Sequence, residues 1–101
     1  MNTDQKLIDA MICEFEKYDT VERAVLFGSR ARGDNTERSD YDIAVYGNLS
    51  QREITELSLS CDDELPTLHK IDLVFMQRQN PSDFTANIER EGIIIYDKAK
   101  K

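Results

Sequence analysis

Residues 21–45 read VERAVLFGSRARGDNTERSDYDIAV, and the fold turns on them. The first seven are rich in β-branched and aromatic side chains, which favour a strand, and they stop at Gly28, where a residue without a Cβ lets the chain turn tightly. Residues 30–38 are polar, with Gly33, Asp34 and Asn35 as turn formers, and lead into a second strand over 41–46 closed by Gly47 and Asn48. Two consecutive strands joined by one polar loop stand close together, so the chemistry is expected in and beside that loop.

Working outward, Leu7, Ile8, Met11, Ile12 and Phe15 recur at helical spacing and predict a surface helix over 4–17. Beyond the second strand, Ile54, Leu57, Cys61 and Leu65 predict a long helix over 50–65, with Ser50 as N-cap, Glu53 completing a capping box and Pro66 past its end. Residues 71–76 form a third strand. Asn80-Pro81 supplies an N-cap and a proline at the first helical position for a helix that runs to about 91, with Phe84 and Ile88 on one apolar face and Gly92 as C-cap. Residues 93–96 make a short last strand, and 98–101 a polar, flexible tail. This order predicts an α/β (α+β) fold, a small mixed sheet with helices packed on one face.

The chain has 101 residues, 40% of them hydrophobic and 33% charged, which implies a single globular domain over 1–101. No apolar run approaches the roughly 20 residues of a membrane span. The acidic N-terminal stretch lacks the pattern of a secretory signal, so a cytoplasmic location is expected. Cys13 and Cys61 are far apart, with no Cys/His cluster, and read as free thiols. A net charge of −7 repels a phosphate backbone and argues against a long nucleic acid as partner. A nucleotide differs, because a carboxylate-rich pocket attracts the magnesium that accompanies its phosphates.

Side chains two apart on a strand share a face, roughly 7 Å apart, so Asp40 and Asp42 face one way and Tyr41 and Ile43 the other. Alone, Asp-x-Asp also fits a solvated edge. In the third strand Ile71, Leu73 and Phe75 form an apolar face opposite Asp72, a residue that alone also fits a surface position paired with Lys70. If the third strand lies beside the second, the three carboxylates converge, and cations hold such a cluster together. Two magnesium ions about 4 Å apart would serve phosphoryl displacement. Gly28 allows close approach of a phosphate, and Ser29 begins a short helix whose free N–H groups suit an anion.

Gly28-Ser29, ten intervening residues and Asp40-Tyr41-Asp42 resemble the signature of the DNA polymerase beta-like nucleotidyltransferase superfamily, and LFGSRARGDNTERSDYDIAV resembles its minimal nucleotidyltransferase branch. The resemblance implies that Gly28 and Ser29 hold the β- and γ-phosphates of a nucleoside triphosphate. It implies that Asp40 and Asp42 bind the metals, and that Asp72 binds a metal and helps deprotonate the acceptor hydroxyl. Arg30 and Arg32 are candidate phosphate contacts, with a solvated or structural role as the alternative; Gly33 reads as turn geometry. His69 matches no motif, and Asp62, Asp63 and Glu64 read as a solvated acidic patch.

The same resemblance implies Mg2+ as cofactor and ATP as donor, with AMP moved to an acceptor hydroxyl. Members of the minimal branch occur as antitoxins of HEPN ribonuclease toxins, so the implied acceptor is a tyrosine of such a toxin and the implied role a type VII antitoxin within a hetero-oligomer. Two alternatives stay open: an antitoxin that neutralises by binding alone, and a transferase acting on a small molecule with its acceptor site completed by a homodimer.

Overall fold

The computed structural model describes residues 5–34, 36, 40–63 and 70–100, without the side chains of Asp62, Asp63 and Lys100. Its elements run α1 (Gln5–Glu16), β1 (Val21–Phe27), α2 (Ser29–Arg32), β2 (Tyr41–Gly47), α3 (Gln51–Asp63), β3 (Ile71–Phe75), α4 (Asp83–Glu91) and β4 (Ile93–Asp97), with 3-10 turns at Met76–Arg78 and Lys98–Lys100. The strands form one sheet in the order β3-β2-β1-β4. β1 is antiparallel to both β2 and β4, and β2 is parallel to β3. The sheet is mixed, as expected, because the parallel pair needs a crossover and α3 supplies it.

The apolar stripes read from the sequence fill one side of this sheet. Leu7, Ile8, Met11 and Phe15 of α1 and Ile54, Leu57 and Cys61 of α3 pack against Leu26, Tyr41, Ile43, Val45, Ile71 and Tyr96. Each large side chain taken fully from water there contributes about 1.5–3 kcal/mol. The capping box of α3 forms as predicted: Glu53 N donates to Ser50 Oγ at 3.2 Å, and Ser50 N donates to Glu53 Oε1 at 2.9 Å. The backbone bond from Ser50 is the main reason that Glu53 sits below its usual pKa, helped by Thr20 Oγ1, which donates to its other oxygen at 3.0 Å.

The other side of the sheet is sparsely covered. α4 lies there, its Ile88 buried against Val25 and Ala44, with Phe27, Tyr46 and Met76 around them. So α1 and α3 share a face, as expected, but α4 braces the opposite one, and the helices are not all packed on one face of the sheet. Its start is also shifted. β3 ends at Phe75, the 3-10 turn takes up Met76–Arg78, and the N-cap is Ser82 rather than Asn80. Ser82 Oγ accepts from Thr85 N and Thr85 Oγ1 accepts from Ser82 N, a second capping box. Gly92 is the C-cap, but in extended rather than left-handed geometry (φ −70°, ψ 154°). A glycine is needed for space: a Cβ there would stand 2.2 Å from Val25 Cγ1 and 2.4 Å from the Ile88 carbonyl oxygen.

The expected flexible tail is in part a 3-10 turn, and Lys98 Nζ donates to the Asp19 carbonyl at 2.7 Å. Cys13 is exposed and Cys61 buried, and neither forms a disulfide. Glu64, Leu65, Pro66 and His69 lie outside the described residues. Among the described residues no helix is long and apolar enough to cross a membrane.

Candidate active site

β1 delivers Gly28 to the end of the sheet, and the register of the hairpin places Phe27 opposite Asp42. Gly28 takes φ 78°, ψ −155°, a region of backbone space that is essentially glycine's alone. It must also lack a side chain, because a Cβ at Gly28 would stand 2.5 Å from Asp42 Oδ2. The close approach expected at this glycine is therefore made to the carboxylate of the next strand. After it the chain coils into α2: the Gly28 carbonyl accepts from Ala31 N and Arg32 N, both at 3.1 Å, and Gly33, left-handed at φ 85°, ends the turn by donating to the Ser29 carbonyl at 2.9 Å. The first N–H groups of such a turn, at Ser29 and onward, point out of its start.

β2 and β3 bring in the carboxylates. Tyr41 N donates to the Lys70 carbonyl at 3.0 Å and sets the register, in which Asp42 pairs with Asp72. Tyr41 and Ile43 are buried in the core while Asp42 is half-buried on the opposite face, the alternation read from the sequence. Asp40 is exposed and precedes β2 by one residue, rather than sitting within it. Burial raises the pKa of Asp42 above its ordinary value, and the carboxylates of Asp72 and then Asp40 raise it further, while Arg32 works against them. All three acids and Arg32 thus share one electrostatic neighbourhood.

They do not close into a ready-made metal cage. Among the described residues no three acidic, histidine or cysteine side chains gather closely enough to hold an ion, and Asp72 Oδ1 is drawn toward Lys70 Nζ at 3.5 Å. A carboxylate among like charges is favoured by a nearby cation. The donor set is nonetheless all oxygen, the preference of magnesium, which is commonly held by one or two carboxylates with substrate phosphates and water completing its shell.

The two arginines part company. Arg30 is 4% exposed, its guanidinium stacked 4.0 Å over the Tyr41 ring and Nη2 donating to the Thr36 carbonyl at 3.5 Å. Tyr41 faces the core, so the stack on its ring fits the structural role that the sequence leaves open for Arg30. Alternation could not reveal this, since α2 is too short to show a buried face. Arg32 stays on the site side, exposed, with Nε 3.3 Å from Asp34 and Nη1 3.7 Å from Glu91 of α4. Glu91 carried no motif signal, and only the packing of α4 brings it here.

With this geometry in place, comparison with known proteins is informative. The family described as "Polymerase beta, Nucleotidyltransferase" matches residues 9–101. A relative from Methanocaldococcus jannaschii, named "Putative protein adenylyltransferase MJ0604", is 30% identical over 101 residues, 95% of this chain and 100% of its own. Among solved structures, a toxin-antitoxin complex with AMP-PNP superposes with TM-score 0.70 at 20% identity, over 97% of this chain and 77% of that one. A tri-AMPylated HEPN toxin of Shewanella oneidensis in complex with MNT antitoxin gives TM-score 0.65 at 20% identity, over 96% and 76%.

Proposed function

This chain belongs to the polymerase beta nucleotidyltransferase family, and from that premise we propose that it moves AMP from ATP to a hydroxyl of a partner protein, a tyrosine of a HEPN ribonuclease toxin, and so serves as the antitoxin. The observation that carries the reading is the pairing of Asp42 with Asp72 across β2 and β3, beside a glycine turn pressed against Asp42. The protein adenylyltransferase name of the M. jannaschii relative and the AMPylated toxin of the Shewanella complex support the acceptor class. The hetero-oligomer and a cytoplasmic location belong to the same reading.

In the proposed reaction the triphosphate lies along the start of α2, where the N–H groups of Gly28 and Ser29 meet its β- and γ-phosphates. Arg32 turns from Glu91 and Asp34 to the phosphates. Asp40 and Asp42 would hold Mg2+, with Asp72 sharing it, and bound magnesium would draw charge from the phosphoryl oxygens. Asp72, released from Lys70, accepts the proton of the acceptor hydroxyl. That oxygen attacks the α-phosphorus in line, the bond from the α-phosphorus to the bridging oxygen breaks, and pyrophosphate leaves with the electron pair. The sheet positions donor and acceptor, an effect that accounts for much of such catalysis.

The test is direct. The chain, its HEPN partner, magnesium and ATP labelled on the α-phosphate are incubated together, and label should appear on the toxin. An Asp40→Asn, Asp42→Asn double variant should lose it. If that variant still neutralises the toxin fully without labelling it, the catalytic account of toxin control fails.

A further inference from the structure

We propose that α4 carries the nucleobase site, with Phe84 as the stacking surface and Asn87 as the polar reader; this rests on the nucleotidyltransferase reading above and names the part of the donor that the carboxylates and the turn leave unheld. A cavity of about 270 Å³ opens between the end of β1, α2 and α4, bounded by Phe27, Gly28, Arg32, Phe84, Asn87 and Glu91. It begins at the glycine pressed against Asp42, so a molecule whose phosphates lie at that turn reaches it without leaving the sheet face. Its volume is just under the roughly 300 Å³ at which pockets for whole drug-sized ligands begin, room for one planar ring system.

The walls favour a flat heteroaromatic ring over a further phosphate. Phe84 is 46% exposed, yet it is not loose: it forms a T-shaped pair with Phe27, centroids 5.9 Å apart at 82°. An aromatic ring held by a neighbouring ring and still nearly half exposed is a surface on which a base can stack. Asn87 lies three residues further along α4 and shares the cavity. Arg90 donates to its Oδ1, which leaves the amide N–H groups of Asn87 to donate to a ring nitrogen of the base. Among the described lining residues Arg32 is the one cation, and in the proposed reaction it serves the phosphates, so the Glu91 carboxylate is left on the wall to disfavour a further anion. α4 itself is fixed at both ends, by the Ser82–Thr85 box and by Gly92 N donating to the Ile88 carbonyl at 2.9 Å.

Binding of Mg·ATP and of Mg·tripolyphosphate, which has the phosphates without base or ribose, separates the two halves of the donor. Titration calorimetry on the full chain should show Phe84→Ala weakening Mg·ATP about tenfold while leaving Mg·tripolyphosphate unchanged, with Phe84→Tyr, which keeps the ring, restoring ATP binding. Asn87→Ala should compress the preference for ATP over other nucleoside triphosphates. Unchanged ATP binding in Phe84→Ala, or equal losses for both ligands, would overturn the base site while leaving the transferase reading intact. A wild-type chain that binds neither ligand would overturn both.

Discussion

Asp42 and Asp72 stand opposite one another in the register of β2 and β3, two acids on neighbouring parallel strands, with Lys70 beside Asp72 and Arg32 near Asp42 as partial offsets. Because the pKa of Asp42 is raised in the folded chain, folding disfavours its ionised form. The penalty is absent below the ordinary carboxylate range, grows as pH rises past it and is complete once pH exceeds the raised folded-state value. Asp42→Asn should therefore melt higher than the wild type at pH 7 without metal, by a few degrees at most because exposure screens the repulsion, and lose the gap at acidic pH. Magnesium should raise the melting temperature of the wild type and not of the variant. A variant that melts lower than the wild type at pH 7 would contradict this.

Gly28→Ala meets two obstacles at once, a backbone region closed to other residues and the Asp42 carboxylate. The strain should cost about 1–3 kcal/mol in urea unfolding. The displaced carboxylate should lower AMP transfer roughly a hundredfold at saturating ATP, and activity near the wild-type level would show that the turn does not set the position of Asp42.

Arg30 and Arg32 should separate in assay. Arg30→Ala removes a buried guanidinium from the Tyr41 ring and should cost about 2 kcal/mol of stability while leaving the ATP affinity of the folded protein unchanged. Arg32→Ala breaks only exposed ion pairs, worth about 0–1 kcal/mol, and should weaken ATP instead. Finding the two effects interchanged would refute the division of roles.

Gly92→Ala would drive a methyl group into Val25 and the Ile88 carbonyl. Overpacking of this kind costs about 1–3 kcal/mol, and hydrogen exchange should speed up first in α4 rather than in α1 or α3. Uniform acceleration across all helices would place the strain elsewhere.

What could be read beforehand was whatever rests on local chemistry. The β1 turn at Gly28, the alternation that buries Tyr41 and turns Asp42 to the other face, and the Ser50–Glu53 box are each written in neighbouring residues, and each is found. Asp72 was read as a partner of Asp42 on the condition that β3 lay beside β2, and it does. What local chemistry does not carry is chain path and packing. Asn80-Pro81 is a good helix start, but the 3-10 turn after Phe75 moves the start to Ser82, whose own capping box wins. Arg30 and Arg32 look alike in a four-residue helix, and only the side on which Tyr41 lies distinguishes them. Phe84 and Ile88 do share a face of α4, but Ile88 is buried against Val25 and Ala44 while Phe84, against Phe27 at the end of β1, stays 46% exposed.

The parallel pairing of β2 with β3 bears on the order in which the molecule becomes competent. The β1–β2 hairpin closes over a short loop and already owns Gly28, Asp40 and Asp42, whereas Asp72 arrives only after the chain has travelled through α3 and back, the slower kind of closure. A half-folded copy can therefore gather the turn and two acids without the third. In the proposed reaction, turnover then certifies that the crossover is complete, and the acceptor is modified only by copies that have finished folding.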